Sequence, residues 1–294
     1  MAIVKKLQWL FKGLRYHPRN TVRLILSTVD SELKISEHSR ITNKGERIII
    51  QGDWDHIKRH GNFIELCHLQ RYEWVIGLVN EGKIRAETLL DVGCGTGYGV
   101  YKIAKDTKIP LVMGVDISKR AIENFAHKYY SLPNLWFNTM DACELALNFP
   151  TSFFDVVTLF EIVEHLSPDK QHEVLGNVTN VLRPEGVALL SMPNAYVSEG
   201  NNPHHQKELS CRELKNLAKS YFTEVQIFGQ DIVLDGKRAQ ENWQRHAEDV
   251  TTIQDLGIFD DYLEKSFDLL AICKEPRKRK YSRVLKGSLS RNGT

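Results

Sequence analysis

Short apolar segments alternate with longer amphipathic segments from residue 84 onward. The apolar segments have the length and β-branched content of buried strands, whereas 118–130 and 168–182 have helical spacing. Strands that alternate with helices of this length predict βαβ units and an α/β fold with a mainly parallel sheet. The predicted parallel strands are TLLDV (88–92), LVMGVD (111–116), LWFNTM (135–140), FDVVTLF (154–160) and GVALLSM (186–192).

The pattern changes beyond residue 200. A helix is predicted near 211–220, and the apolar runs 222–229 and 267–274 predict an antiparallel pair at the edge of the sheet. Residues 232–266 are polar with a partly helical pattern, which indicates a small inserted cap. We therefore predict a helical extension at 1–60, a main domain at 61–274 and a basic, disordered tail at 275–294.

Net positive charge is concentrated at the two ends of the chain. The net charge of +2 combines +6 in residues 1–29, +7 in residues 274–294 and −11 between them. Residues 1–15 predict an amphipathic helix with one basic side, which either lies on an anionic membrane or packs on the main domain. The acidic body shows no basic groove with interleaved aromatic residues, so RNA is a less favoured partner.

Composition limits the class of protein. No uninterrupted apolar stretch reaches the roughly 18 residues that a membrane-spanning helix needs, and we expect no secretory signal at the N-terminus. The cysteines form no C-x-x-C pair or zinc pattern, which favours reduced thiols and a cytoplasmic location, with peripheral contact at the inner membrane as an option. They are Cys67, Cys94, Cys143, Cys211 and Cys273.

The stretch LLDVGCGTGYG (89–99) joins the first predicted strand to a glycine-rich loop. Glycines allow the backbone to approach a ligand closely, but the G-x-G-x-G spacing departs from the dinucleotide-binding pattern. Asp116 follows Gly97 by 19 residues and ends the next strand, where an acid commonly binds ribose hydroxyls. Asp141 follows the third strand and suits an adenine amino group. These features predict an adenosine pocket; the alternative is that both carboxylates cap helices.

LLDVGCGTGYG, GVDIS and LRPEGVALLSMPN resemble the successive motifs of class I S-adenosylmethionine-dependent methyltransferases, over roughly residues 65–230. The resemblance implies a Rossmann-like, doubly wound, mostly parallel seven-stranded sheet with an antiparallel edge strand. It also implies S-adenosylmethionine as cofactor, with Asp116 at the ribose and Asp141 at the adenine. HLQRYEW resembles the segment that closes over the cofactor, so that Arg71 and Tyr72 could reach its carboxylate. The expected cofactor-binding residues are Tyr72, Asp91, Gly93, Cys94, Gly95, Gly97, Asp116, Ile117, Asp141, Ala142 and Phe160.

Candidate catalytic residues follow the fourth strand and recur near residue 205. The segment FEIVEHL supplies Glu161, Glu164 and His165, and NNPHHQKEL supplies His205. Either a histidine is a general base that Glu161 orients, or the four residues bind Mg or Mn, which lowers the pKa of an acceptor hydroxyl. The set resembles the metal site of small-RNA 2′-O-methyltransferases and a cluster in quinone O-methyltransferases. The structural alternative is that FEIVEHL only ends a strand and starts a helix.

The order of GERIIIQGDWDHI, GCGTGYGVYKIAK, FEIVEHL, SMPN, NPHHQKELSCREL and IFGQ resembles a bacterial methyltransferase subgroup associated with surface glycan biosynthesis. This implies O-methylation of a sugar hydroxyl on a glycan or lipid-linked glycan. His204 stands where that pattern usually has an aromatic residue. The alternatives are methylation of an RNA 2′-hydroxyl, methylation of a quinone or other small molecule, and a non-catalytic scaffold that binds the cofactor.

Overall fold

The computed structural model describes residues 63–124, 126–129, 131–198, 202–233, 250–255 and 266–277. Eight strands in this part of the chain form one sheet, in the order β3-β2-β1-β4-β5-β8-β6-β7. Their bounds are Thr88–Val92 (β1), Leu111–Asp116 (β2), Leu135–Thr139 (β3), Phe154–Phe160 (β4), Leu182–Pro193 (β5), Phe222–Val233 (β6), Val250–Asp255 (β7) and Asp268–Pro276 (β8).

Helices connect the strands and cover both faces of the sheet. The α-helices of the described residues are Phe63–Asn80 (α1), Tyr98–Asp106 (α2), Lys119–Asn124 (α3), Leu145–Asn148 (α4), Pro168–Val181 (α5) and Cys211–Lys219 (α6). Short 3₁₀ helices follow at Ala126–Tyr129, Ala142–Glu144 and Val163–His165.

The predicted parallel sheet is confirmed. β1 pairs in parallel with both β2 and β4, β2 with β3, and β4 with β5. The chain therefore runs from β1 outward to β3 and then crosses to β4 on the other side. In open α/β sheets such a reversal leaves a crevice at the carboxyl ends of the strands, where ligands bind.

The second half of the sheet is antiparallel. The expected pairing of 222–229 with 267–274 is confirmed, since β6 and β8 run antiparallel. β8 lies between β5 and β6 rather than at the edge, and β7 pairs with the outer side of β6 as an eighth strand. Residues 250–255 of the predicted cap are thus part of the sheet. Its residues 234–249 and 256–265 lie outside the described residues.

Two apolar cores hold the layers together. β1 and β2 are buried along their whole length, as expected for parallel strands with both faces covered. One face packs against α5 and α6 through Val178 and Leu214, and the other packs against α1 and α2 through Val75 and Ile103. All five cysteines lie in the described part of the chain as free thiols.

Most of the two predicted terminal segments is not among the residues that the structure describes. The extension at 1–60, with its amphipathic helix at residues 1–15, and positions 278–294 of the tail lie outside the described residues. None of the described helices has the length and apolarity required to cross a bilayer.

Candidate active site

A cavity of about 890 Å³ opens where β1, β2, β3 and β4 end. Its wall contains the four predicted catalytic residues, Glu161, Glu164, His165 and His205. It also contains nine of the eleven predicted cofactor residues: Tyr72, Gly93, Cys94, Gly95, Asp116, Ile117, Asp141, Ala142 and Phe160. The fold therefore brings both predicted sets to one cavity.

The glycine loop leaves open space at its centre. Gly95 has a φ of +55°, and a Cβ added there would meet nothing within 4 Å. The loop is held from behind, because the amides of Gly93 and Cys94 both donate to the carbonyl of Val115, at 2.7 and 3.0 Å. Gly95 thus presents bare backbone to the cavity.

Other glycines of the loop are required by packing. A Cβ on Gly97 would lie 2.7 Å from the Phe137 ring, and a Cβ on Gly99 would lie 2.1 Å from the Tyr72 ring. Gly97 is the residue that precedes α2, and it does not line the cavity. Its expected place beside the cofactor is therefore not what the structure shows.

Asp116 and Asp141 are placed by backbone hydrogen bonds. Asp116 accepts from the amides of Gly95 (2.9 Å) and Ser118 (2.7 Å), and Asp141 accepts from Cys143 N at 2.9 Å. The helix-cap interpretation is thus partly correct. A carboxylate has about four acceptor sites, so both acids can still accept hydrogen bonds from a ligand. Ile117, which follows Asp116 in the chain and is 62% exposed, also lines the cavity.

Asp91 lies behind the cavity wall. Its carboxylate accepts hydrogen bonds from Thr158 (2.5 Å) and Tyr72 (3.0 Å). Burial raises the pKa of Asp91 from 3.8 to about 7, an effect that these two hydrogen bonds oppose. Asp91 does not line the cavity, and Tyr72 stands on the wall instead.

Glu161 belongs to a buried ion-pair network. The Nη1 atom of Arg71 lies 2.8 Å from Glu161 Oε1, and Ser191 donates to the same oxygen at 2.8 Å. Arg71 is 1% exposed and also pairs with Asp268. Glu161 has a φ of +56°, a left-handed conformation that is uncommon outside glycine and that concentrates at functional sites. Arg71 lines the cavity, but its charge is paired with these two carboxylates.

Glu164, His165 and His205 form a compact group. One potential ligand atom from each lies within 4.8 Å of the others. Glu164 is fully buried, and neither of its carboxylate oxygens accepts a hydrogen bond from the residues that the structure describes. Burial, followed by the nearby charge of Glu161, raises the pKa of Glu164 well above its usual range. Glu161, which was expected to join this group, is not part of it.

Both histidines are held at Nδ1. His165 Nδ1 lies 3.1 Å from the carbonyl oxygen of His204, which can only accept, so Nδ1 donates and Nε2 is unprotonated in the neutral ring. His165 Nε2 lies 3.7 Å from Glu164 Oε1. His205 Nδ1 lies 2.5 Å from Glu208 Oε1, so a carboxylate takes the corresponding place there.

Backbone hydrogen bonds hold the loop at 202–208 against the turn at 163–165. The amides of Gln206 and Lys207 donate to the carbonyl of Glu164, at 2.8 and 3.1 Å. The buried amide of Gln171 bridges the carbonyls of Val163 and Lys207. Residues that are forty positions apart in sequence therefore form one rigid site.

Comparison with known proteins agrees with this geometry. A family model described as a methyltransferase domain matches residues 89–186. The chain is 34% identical over 143 residues to a probable S-adenosylmethionine-dependent methyltransferase of Mycolicibacterium smegmatis, covering 47% of this chain and 52% of that protein. It is 30% identical over 175 residues to the probable S-adenosylmethionine-dependent methyltransferase Rv3030 of Mycobacterium tuberculosis, covering 58% and 60%.

The family match at residues 89–186 runs from β1 into β5. The fold agrees, since a SAM-dependent methyltransferase from Archaeoglobus fulgidus superposes with a TM-score of 0.50 at 18% identity, over 72% of this chain and all of that one. The chain spans between half and two thirds of the length of the two curated relatives.

Both relatives are named as S-adenosylmethionine-dependent, and features of the cavity wall suit the adenosine part of that molecule. The bare backbone at Gly95 leaves room where a side chain would intrude. Asp116 and Asp141 offer hydrogen-bond acceptors and Ile117 offers an apolar surface on the cavity wall, which suits the hydroxyl and amino donors and the flat ring of an adenosine.

Two features of the site have no counterpart among the predicted residues. Glu208, a buried partner of His205, stands three residues after it, and this spacing could have suggested a pair. The ion pairs of Arg71 with Glu161 and Asp268 join three distant segments, and no local pattern in the sequence indicates them.

Proposed function

We propose that this protein transfers the methyl group of S-adenosylmethionine to a hydroxyl group of an acceptor that binds beside Glu164, His165 and His205. The observation that supports it is the shared cavity, which Gly95, Asp116 and the Glu164 group all line. The proposed sites of the methyl donor and of the acceptor thus lie in the same cavity.

In this proposal Asp116 accepts hydrogen bonds from the ribose hydroxyls, and Asp141 and Ala142 contact the adenine. Ile117 packs against the adenine ring, because it is apolar and exposed on the cavity wall that also carries the two acids. Tyr72 and Phe160 enclose the other end of the cofactor; their rings pack edge to face, 5.4 Å apart. S-adenosylmethionine supplies an activated methyl group when bound, so the protein must align the acceptor and assist loss of its proton.

We further propose that Glu164, His165 and His205 bind a divalent cation such as Mg²⁺ or Mn²⁺. A carboxylate buried without hydrogen-bond partners is costly unless a cation compensates it. Ligand histidines usually donate their other ring N–H to a carbonyl or a carboxylate, and both histidines here have such a partner. Mixed carboxylate and imidazole ligands suit these metals, and a cation would lower the pKa of an acceptor hydroxyl.

The acceptor that we propose is a sugar hydroxyl of a glycan or lipid-linked glycan. The cavity wall around the Glu164 group carries hydroxyl, amide, imidazole and ammonium groups, which can bind several hydroxyls of one sugar. These groups belong to Lys170, Ser198, Asn202, His204 and Gln206.

A metal-free reaction is the second candidate. His165 and His205 are each held by a hydrogen bond at Nδ1, so Nε2 of His165, or Nε2 of His205 after it releases the hydrogen bond from Asn202, could take the proton of the acceptor hydroxyl as a general base. The two mechanisms differ in their need for a cation.

Label transfer tests the proposal. The purified full chain is incubated with methyl-labelled S-adenosylmethionine and fractionated cell extract, with and without EDTA and with Mn²⁺ added back. If label enters a glycan, and if EDTA abolishes this transfer and Mn²⁺ restores it, the whole proposal is supported. EDTA-resistant transfer would favour the histidine base. Label in RNA or a quinone would replace the acceptor class, and cofactor binding with no label in any fraction would favour a scaffold.

The substitution Glu164→Gln tests the role of the buried carboxylate. We expect transfer to fall by about 100-fold, in the range of general acid–base or metal-assisted effects, while the affinity for S-adenosylhomocysteine stays unchanged. Glu185→Gln, an exposed position on β5, is the control. Full activity of the Glu164 variant would leave that residue a purely structural role.

A further inference from the structure

We infer that Glu208 is a positioning residue that holds the ring of His205 by accepting its Nδ1 proton, so that Nε2 keeps an unprotonated lone pair. The inference rests on the proposed function, in which His205 acts through that nitrogen. Glu208 itself does not belong to the group of three potential ligand atoms.

The contact between Glu208 and His205 is short and shielded. Glu208 Oε1 lies 2.5 Å from His205 Nδ1, and the two side chains are 5% and 10% exposed. The other carboxylate oxygen, Oε2, accepts a hydrogen bond from the hydroxyl of Ser198. Both oxygens of this nearly buried acid are therefore used, one to hold the imidazole and one to hold the carboxylate itself.

Asn202 fixes the direction of the hydrogen bonds. The amide N–H of His204 donates to Asn202 Oδ1 at 3.0 Å, which leaves the Nδ2 donor of Asn202 toward His205 Nε2, also at 3.0 Å. His205 Nε2 must then be an acceptor, so the ring proton resides on Nδ1 and is donated to Glu208. Glu208 and Asn202 thus favour the same neutral tautomer, and a cation bound at Nε2 would replace the hydrogen bond from Asn202.

The negative charge of Glu208 explains why a carboxylate suits the position beside His205 Nδ1. A carboxylate accepts the Nδ1 proton more strongly than a neutral group and makes the opposite nitrogen a better electron-pair donor. His165 has only a backbone carbonyl at the equivalent position. His205 is therefore the stronger donor of the two, and its role depends on a side chain that can be substituted.

Imidazole nitrogen spectra of the metal-free protein test the inference directly. In the wild type we expect His205 to show a protonated Nδ1 and an unprotonated Nε2. In Glu208→Ala we expect a mixture of tautomers, because only the hydrogen bond from Asn202 then favours Nδ1–H, and in Glu208→Gln an intermediate result, because its amide oxygen can still accept. An unchanged His205 spectrum in Glu208→Ala would overturn the inference.

Binding of Mn²⁺, measured by paramagnetic resonance, gives a second measure that is independent of turnover. We expect Glu208→Ala to bind Mn²⁺ about 10–100-fold more weakly, Glu208→Gln to lose less, and the exposed control Glu185→Ala to match the wild type. Affinity in Glu208→Ala within twofold of the wild type would contradict the positioning role. If the wild type itself binds no Mn²⁺, the cation proposal fails, and the tautomer spectra alone decide the role of Glu208.

Discussion

At the scale of single residues, a missing Cβ has different consequences along the glycine loop. At Gly97 and Gly99 it allows aromatic rings to pack against the backbone, whereas at Gly95 it leaves space in the cavity. Substitutions at these positions should therefore damage the protein in distinct ways, through packing at the first two and through cofactor binding at the third.

The change Gly95→Val should reduce the affinity for S-adenosylhomocysteine by more than tenfold, because a branched side chain would occupy the space for the cofactor. Calorimetric titration measures this. Gly82→Val is the matched control, since Gly82 also has a positive φ (+72°) and open space but lies outside the cavity wall. Equal affinities in the two variants would refute the place of Gly95 beside the cofactor.

The change Asp116→Ala should weaken binding of S-adenosylhomocysteine by roughly 1.5–3 kcal/mol for each lost hydrogen bond to the charged group. Part of the loss would come from the loop, because the amide of Gly95 loses its acceptor. Asp116→Asn, which keeps one acceptor oxygen, should lose less. An Asp116→Ala variant that titrates like the wild type would contradict the ribose role.

The residues that sequence could predict are those with local patterns. The glycine loop, Asp116, Asp141 and the FEIVEHL segment all follow strands that are clear in the pattern of apolar positions. The partners of these residues were not predictable, because Arg71 and Asp268 stand 197 positions apart and meet only in the folded sheet. For the same reason Glu161 looked like a ligand, although the fold commits it to Arg71.

At the scale of elements, one buried arginine ties helix α1 to the sheet. Arg71 pairs with Glu161 at the end of β4 and with Asp268 on β8, and its Nε donates to Gln230 on β6 at 2.8 Å. Gln230 in turn donates to the carbonyl of Cys67 on α1. The helix that forms one wall of the cavity is thus positioned by charge as well as by apolar packing.

The change Arg71→Met should lower the free energy of unfolding by about 3–5 kcal/mol, because it leaves buried carboxylates unpaired. Urea unfolding measures this. Asp268→Leu should be similarly costly, and the double variant should recover part of the loss. Strictly additive single losses would show that the pair does not hold α1 to β8.

Asp91 makes the free energy of unfolding depend on pH. Its hydrogen bonds join β1 to α1 through Tyr72 and to β4 through Thr158. Its pKa is raised to about 7 in the folded state, so between pH 4 and pH 7 the folded protein binds more protons than the unfolded chain. Stability from this group therefore falls as the pH rises through that window, by up to about 4 kcal/mol at about 1.4 kcal/mol per pKa unit.

The change Asp91→Asn should remove this dependence. Urea unfolding at pH 5 and pH 8 should show a smaller loss of stability between the two values in the variant than in the wild type. Asp169→Asn, at an exposed position of α5, serves as the control. The same loss in the wild type and in Asp91→Asn would show that Asp91 does not titrate in this range.

Element prediction succeeded where burial demands a continuous apolar run. β1, β2 and β4 match the predicted segments residue for residue. β7 was missed, because VTTIQD is an edge strand with mixed polarity, and only its backbone pairing with β6 makes it a strand.

At the scale of the whole molecule, most of the cavity wall beyond α1 comes from two stretches of the chain. The proposed cofactor contacts after β1 lie between Gly93 and Ala142, and the proposed acceptor contacts lie between Glu161 and Glu208. β4 separates the two stretches. Its last residue, Phe160, lines the part of the cavity proposed for the cofactor, and the next residue, Glu161, begins the stretch of proposed acceptor contacts. Charge and composition could not predict this division, since it depends on the order in which strands join the sheet.

The division has a consequence for how such a protein can change over generations. Mutations that retune which molecule is modified can accumulate in one contiguous part of the gene, while the part that serves the shared methyl donor is left alone. A single recombination event near the codon for Phe160 could therefore give a descendant a new acceptor while it keeps the same methyl donor.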